Sequence, residues 1–178
     1  MTSAQLINQT SGNCEKYSPP EIIEAARATM GGIDLDPASS MLANERVKAE
    51  FYFDESDDGL LREWHYNMRP ARVFMNHPFG RKRNAAWINK LIAEYESGRV
   101  SQACCITYAC TSEAWFTPLL QRPQCFLIPR TNYYLPNGKE MRGVTKGSVV
   151  TYFGRELQKF ATAFWSLGVV KIAWTDAA

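Results

Sequence analysis

The sequence predicts an α/β fold: a three-layer sandwich with a mostly parallel central sheet. Two observations carry this. Short apolar runs with β-branched and aromatic character, among them VFM at 73–75, ACCIT at 103–107, CFLI at 125–128 and SVVTYF at 148–153, recur along the chain. Stretches with apolar residues at helical spacing separate them, and strands alternating with helices favour a sheet covered on both faces. The length of 178 residues suits one domain with a sizeable core. Residues 1–16 are expected to be a flexible segment ahead of a single domain over residues 17–178.

In chain order, Ser18-Pro19-Pro20-Glu21 reads as a helix start, with Ser at the cap, Pro in the first turn and Glu closing a capping box. That helix runs through IIEAARATM and stops at Gly31-Gly32. IDLD at 33–36 reads as a short strand ended by Pro37, SMLANERVKAEF as a short helix, and DESDDGLLREW as an acidic loop turning at Asp58-Gly59. Strand RVFMN and the basic loop GRKR follow. Trp87, Ile88, Leu91, Ile92 and Tyr95 then share one helix face, which Gly98 closes. Strand QACCITYA, the short helix SEAWFTPLLQ and strand QCFLI come next. Residues 129–147 are polar, basic and punctuated by Gly and Pro, so a long loop or irregular hairpin is expected. A strand over SVVTYF, a helix carrying Leu157, Phe160, Ala161 and Phe164, and a last strand VVKIAW complete the chain.

Composition narrows the function classes. Hydrophobic residues make up 46% and charged residues 21%, as in ordinary globular proteins. No stretch reaches transmembrane length, and the first residues lack a signal-peptide core. Five cysteines form no CxxC pair, and three lie in or beside ACCITYAC, which reads as buried free thiols in a reducing cytoplasm. With His65 and His77 the only histidines, no His-based metal cluster can be assembled. The net charge of +2 conceals a split. Residues 15–63 carry 12 acids and 5 bases, a net of −7, whereas residues 64–178 carry 15 bases and 6 acids, a net of +9. The basic part suits a polyanion and the acidic part a small cation or hydroxyl-rich ligand.

The chemically suggestive stretch is VFMNHPFG at 73–80. Pro78 cannot continue a sheet ladder, so Asn76 and the residues after it sit at a strand's carboxyl end, where open α/β sheets bind ligands. The amino nitrogen of a nucleobase is a poor nucleophile because its lone pair is delocalised into the ring. Two acceptors, the Asn76 side-chain oxygen and the His77 backbone carbonyl, would each take one N–H and aim the lone pair at an electrophile. Their dipoles would also stabilise the developing positive charge. Phe79 offers a flat face for the base, worth about 1–3 kcal/mol.

NHPF resembles the Asp/Asn-Pro-Pro-Tyr/Phe signature of amino-group methyltransferases that use S-adenosylmethionine (SAM). In one order the chain also has YSPPEIIEAA, LDPASSMLANERV, FYFDESDDGLLREW, a helix with Trp87, WFTPLL, FLIPRTNYYLPNG and GSVVTYFG. Over roughly residues 17–154 this set resembles the phage-type DNA N6-adenine methyltransferase (Dam) family. The resemblance implies a Rossmann-like fold, SAM as cofactor, DNA as partner and a cytoplasmic location, with protection from host restriction as its purpose. It implies Tyr17, Ser18 and Pro19 beside the cofactor, Asp36, Pro37 and Ala38 near its methionine end, and Asp58 near its adenosine. Asn76, His77, Pro78 and Phe79 match the catalytic tetrapeptide. The sequence departs in having His77 where proline is usual and in lacking a Gly-x-Gly after Asp36.

Arg81, Lys82 and Arg83, beside the tetrapeptide, are candidates for DNA phosphates. Arg130, Tyr133, Tyr134, Lys139, Arg142 and Lys146 give the 129–147 segment the basic and aromatic mixture of nucleic-acid loops. Trp87 and Trp115 are expected in the core. N4-cytosine transfer needs the same two acceptors and is the enzymatic alternative. A catalytically inactive SAM-fold protein that binds DNA or a partner is the other.

Overall fold

The computed structural model describes residues 16–80 and 83–172. Its elements are α1 (Pro20–Met30), β1 (Leu35–Asp36), α2 (Met41–Val47), β2 (Phe51–Tyr52), β3 (His65–Tyr66), β4 (Arg69–Met75), α3 (Arg83–Glu96), β5 (Val100–Tyr108), a 3-10 turn (Thr117–Gln121) and β6 (Gln124–Leu127). They continue with β7 (Tyr133–Tyr134), β8 (Glu140–Met141), β9 (Ser148–Phe153), α4 (Leu157–Phe164) and, after a second 3-10 turn (Trp165–Leu167), β10 (Gly168–Lys171). The expected flexible segment lies outside the described residues apart from Lys16, as do Ala173 and Trp174 of the expected last strand.

The main sheet has the order β10-β6-β9-β5-β4-β1-β2, with β3 paired to β4. β2, β1, β4 and β5 pair in parallel; β9 lies antiparallel between β5 and β6, and β10 antiparallel to β6. The sheet is therefore mostly parallel in direction but mixed. The expected mostly parallel sheet is present, with β9 inserted antiparallel between β5 and β6, which themselves point the same way.

Alternation along the strands builds two cores. Phe74, Cys104, Ile106, Val150 and Tyr152 meet Ile22, Ile23 and Ala26 of α1 and Phe160 and Phe164 of α4. Val73, Met75, Ala103, Cys105, Val149 and Phe153 point the other way, onto Trp87, Ile88 and Leu91 of α3 and onto Phe116 and Leu119. Helices thus cover both faces, and the expected face of α3 is the buried one. Trp87 is core as expected, whereas Trp115 is only half-buried against the same cluster.

One expected cap is corrected. Pro19, not Ser18, occupies the cap position of α1, and no side chain caps that end. Ser18 is one residue too early, since a capping side chain reaches only the second or third helical N–H. The end of α1 follows the sequence: Gly31 is left-handed at φ 75°, and its N–H and that of Gly32 return to the Arg27 carbonyl.

β1 touches β4 through a single register pair, Leu35 with Val73. The junction is reinforced beside it. Arg72 donates from Nε and Nη2 to the two Asp34 carboxylate oxygens at 2.8 and 2.6 Å, and from Nη1 to the Gly31 carbonyl at 2.6 Å. The Arg72 backbone N–H also reaches Asp34 at 2.8 Å, and Asp34 N–H returns to the Arg72 carbonyl at 2.9 Å. Burial alone would raise the Asp34 carboxyl, but the Arg72 hydrogen bonds and charge outweigh it and hold it below its usual value.

Arg72→Met is expected to destabilise the protein by about 2–3 kcal/mol, as when a charged hydrogen-bond partner is lost. Because the folded-state Asp34 pKa is depressed, the stabilisation is complete above the unfolded value of 3.8 and disappears as pH falls through the lower folded value. Urea unfolding of both proteins at pH 7 and at pH values well below 3.8 checks this; a gap that stays equal throughout would contradict it.

Candidate active site at the ends of β1 and β4

From β1 the chain turns to β2 on one side and to β4 on the other, so the carboxyl ends of β1 and β4 flank a topological switch point. Asp36 ends β1 and Asn76 follows β4. A strap at residues 16–19 crosses the same end: Tyr17 and Tyr134 exchange backbone hydrogen bonds of 2.8 and 2.9 Å, and the Tyr17 hydroxyl lies 3.4 Å from Ser40 Oγ. Ser40 in turn caps α2 by accepting from the Ala43 N–H at 3.2 Å. Tyr17–Pro19, Asp36–Ala38 and Asn76–Phe79 are thereby brought together.

Asn76 Nδ2 donates to the Lys16 carbonyl at 2.5 Å. An amide has one donor end and one acceptor end, so this bond fixes which is which. Oδ1 is turned the other way, and among the described residues no donor pairs with it. The strap therefore orients the side chain that the sequence singled out.

His77 differs from expectation in one respect. Sequence reasoning gave position 77 only a backbone carbonyl, yet its imidazole is 1% exposed, stacked on Trp87 (6.2 Å, 28°) and edge-on to Phe79 (5.8 Å, 84°). Asn84 Oδ1 accepts the Gly80 N–H at 3.4 Å and lies 3.2 Å from His77 Nε2, so Nε2 carries the ring proton and Nδ1 is a bare acceptor. Burial lowers the imidazole to about 4, outweighing the Asn84 bond, and the ring is neutral at pH 7. The wedge of imidazole, Asn84 and Trp87 restrains the turn where a second proline is missing. Phe79 is half-buried with Tyr108 at 4.6 Å and Tyr133 at 5.7 Å.

Asp36 is 2% exposed and accepts the Ala38 N–H at 3.3 Å, with a further hydrogen bond from Ser39. Two other acids show what it lacks. Asp34 is paired with Arg72, and the buried Glu94 with Lys90 and Arg99 at 2.7 and 2.5 Å; among the described residues Asp36 has no cation. Burial raises its carboxyl to about 7. Pro37 is buried beneath the 57–60 turn, where a Cβ on Gly59 would fall 2.0 Å from the Pro37 carbonyl oxygen. Asp58 sits exposed beside it in a left-handed conformation (φ 52°), its carboxylate taking the Leu60 N–H at 3.2 Å.

Among the described residues, three of the four buried polar side-chain atoms without a hydrogen-bond partner lie on the segments that meet here: Ser18 Oγ on the strap, His77 Nδ1 after β4 and Thr107 Oγ1 near the end of β5; the fourth, Glu94 Oε1, is ion-paired with Lys90. A buried carboxyl without a cation and orphan polar atoms suit a ligand with a cationic group and several hydrogen-bonding groups. A cavity of about 290 Å³ adjoins the strap through Pro19 and Tyr134, between the start of α1 and residues 127–134, and its lining includes neither Asp36 nor Asn76.

The expected DNA contacts separate into groups. Arg81 and Lys82 fall outside the described residues. Arg83, Arg130, Lys139, Arg142 and Lys146 are exposed, and Arg142 pairs with Glu140 at 3.4 Å. The 129–147 segment is an irregular hairpin, as expected, with β7 and β8 as its short arms. Tyr133 offers no face to a nucleic acid: it is fully buried, its hydroxyl 2.7 Å from Ser148 Oγ, and it supports Phe79. Tyr134 is half-buried under the Arg46 guanidinium at 4.6 Å. Lys16, Asn84 and Tyr108 join the site without having been singled out, since only tertiary contact reveals them. Among the described residues there is no group of side chains able to hold a metal ion, and no helix is long and apolar enough to cross a membrane.

Asp36 and His77 titrate in opposite senses. The folded protein holds the Asp36 proton up to about pH 7, so this carboxyl makes stability fall as pH rises from about 4 to 7. His77, lowered to about 4, makes stability rise between pH 4 and 6.5. Asp36→Asn removes the first effect, so its stability relative to wild type should improve by as much as roughly 4 kcal/mol between pH 4 and 8. Urea unfolding across that range tests this, and a constant difference would mean that Asp36 is not a buried neutral acid.

The chain matches no protein-family model and no curated protein.

Proposed function

We propose that this chain is a SAM-dependent DNA methyltransferase, with a Rossmann-like fold, that acts on the adenine N6 amino group. The observation that carries the reading is the pairing, across one switch point, of a buried carboxyl without a cation and an asparagine whose amide is locked with its oxygen unpartnered. When bound, SAM supplies a methyl group on a sulfonium, together with an ammonium.

Asp36 would hold that ammonium as an ion pair, releasing its own proton to solvent, while Ser18 and the Asp58 turn would bound the rest of the cofactor site. Asn76 Oδ1 and the His77 carbonyl accept the two amine N–H groups, so the nitrogen lone pair is freed from the ring. The same acceptors would stabilise the positive charge as the N–C bond forms and the methyl–sulfur bond breaks, the sulfur leaving as a neutral thioether and the surplus amine proton passing to water. The neutral imidazole of His77 keeps that carbonyl in place. Phe79, backed by Tyr108 and Tyr133, stacks on the base, which must leave the duplex at a cost of a few kcal/mol. With little chain left for a separate recognition domain, sequence preference falls to loops such as 129–147.

Expression in a methylation-free host followed by mass spectrometry of DNA nucleosides tests the reading. N6-methyladenine is expected; N4-methylcytosine would move the target to cytosine, and no modified base would leave a binding protein. Asn76→Ala should lower single-turnover methylation by at least about 100-fold, the scale of losing one preorganised hydrogen-bonding group. SAM binding should change little. A variant that methylates normally would remove Asn76 from the chemistry.

A further inference from the structure

Two ammonium groups converge on one aromatic ring beside Asn76. Lys16 Nζ lies 5.3 Å from the Tyr108 ring centroid and donates to its hydroxyl at 2.8 Å, and it also lies 5.9 Å from the Phe79 centroid. Lys146 Nζ lies 5.6 Å from the same Tyr108 centroid. Like charges gathered on a shared ring repel, and a cation–π contact at an exposed site offsets only about 0.5–1 kcal/mol.

Some surface cations have carboxylates, as Arg62 with Asp57, Arg142 with Glu140 and Lys159 with Glu156, whereas the exposed Arg83, Arg130 and Lys139 have none among the described residues. Among the described residues, neither Lys16 nor Lys146 has an ion pair. Glu113 bears on Cys110 together with Lys146, yet it pairs with neither lysine. The place thus combines excess positive charge with a flat aromatic floor. It adjoins Asn76 directly, because the Lys16 carbonyl is what holds the Asn76 amide.

We infer that Lys16 and Lys146 grip the backbone phosphates flanking the target nucleotide, with Tyr108 as the shared support that positions them. This rests on the reading of the chain as a DNA methyltransferase and names the path of the strand. That path crosses the end of β5 and the strap, away from the end of β8, where Arg142 is paired with Glu140.

The test is the salt dependence of binding to a fluorescein-labelled, adenine-containing single-stranded oligonucleotide. Lys16→Met keeps the aliphatic stem and the backbone carbonyl, so the Asn76 contact survives. Lys16→Met and Lys146→Met should each reduce the slope of log K against log salt by about 0.7, and the double variant by about twice that. Lys159→Met, which removes a cation already paired with Glu156, should leave the slope unchanged. Weaker binding at an unaltered slope would mean a structural role, and unaltered binding would mean no role; either overturns the inference. If methylation persists while the slopes do not move, only this inference fails. If the wild-type protein neither binds the oligonucleotide nor methylates DNA, the reading it rests on fails as well.

Discussion

Everything at the candidate site hangs from the junction of β1 with β4, and that junction is one register pair long. A two-residue strand supplies little ladder energy, so Asp34 and Arg72 do most of the joining. Three side-chain donations from Arg72 and a reciprocal backbone bond tie β1 to β4 and to the end of α1. This fixes Asp36 and Asn76, two residues past Asp34 and four past Arg72, on adjacent strand ends. The charged clamp can be strong because it is satisfied at both partners. Asp36 lies just beyond it with no such partner, and the contrast between the two acids is set by where the single arginine reaches.

The site is buried in its neutral form. Between pH 4 and 7 Asp36 keeps its proton and His77 lacks one, so neither places a charge in the apolar surroundings of Trp87 and Pro37. Such a site costs little to keep folded and is ready to respond to charge brought from outside. A ligand ammonium at Asp36 would convert a neutral acid into an ion pair, coupling binding to proton release. His77 has no comparable switch: its Nε2–H is engaged by Asn84, and burial keeps it neutral throughout the physiological range. The free thiols of Cys104, Cys105 and Cys125 are likewise inert, each raised by burial within the sheet.

Long periodic segments made much of this legible in the sequence. The apolar face of α3, the Gly31-Gly32 stop of α1, and the halt of β4 before Pro78 are all dictated locally, and the structure has them. β2 and β3, two residues each, carry no periodicity to read. The antiparallel placement of β9 depends on which gap in the sheet is open, which no local pattern encodes. Within the site, the residue types of Asp36 and Asn76 were readable, but their state was not. Whether an acid finds an arginine is decided by tertiary contact, as Asp34 and Asp36, two residues apart, demonstrate. The burial of His77 and of Tyr133 and the reach of Lys16 to Asn76 belong to the same class, because each depends on segments distant in the chain.

The central claim is that Asp36 is a neutral acid awaiting the cation of SAM. Calorimetric titration with SAM in buffers of different ionisation heat measures the protons released on binding, and Asp36→Asn supplies the baseline. With the carboxyl near 7 in the free protein, wild type minus variant should give about 0.9 protons released at pH 6 and about 0.1 at pH 8. Wild type and variant releasing equal numbers of protons at both pH values, or SAM failing to bind the wild type, would contradict the account.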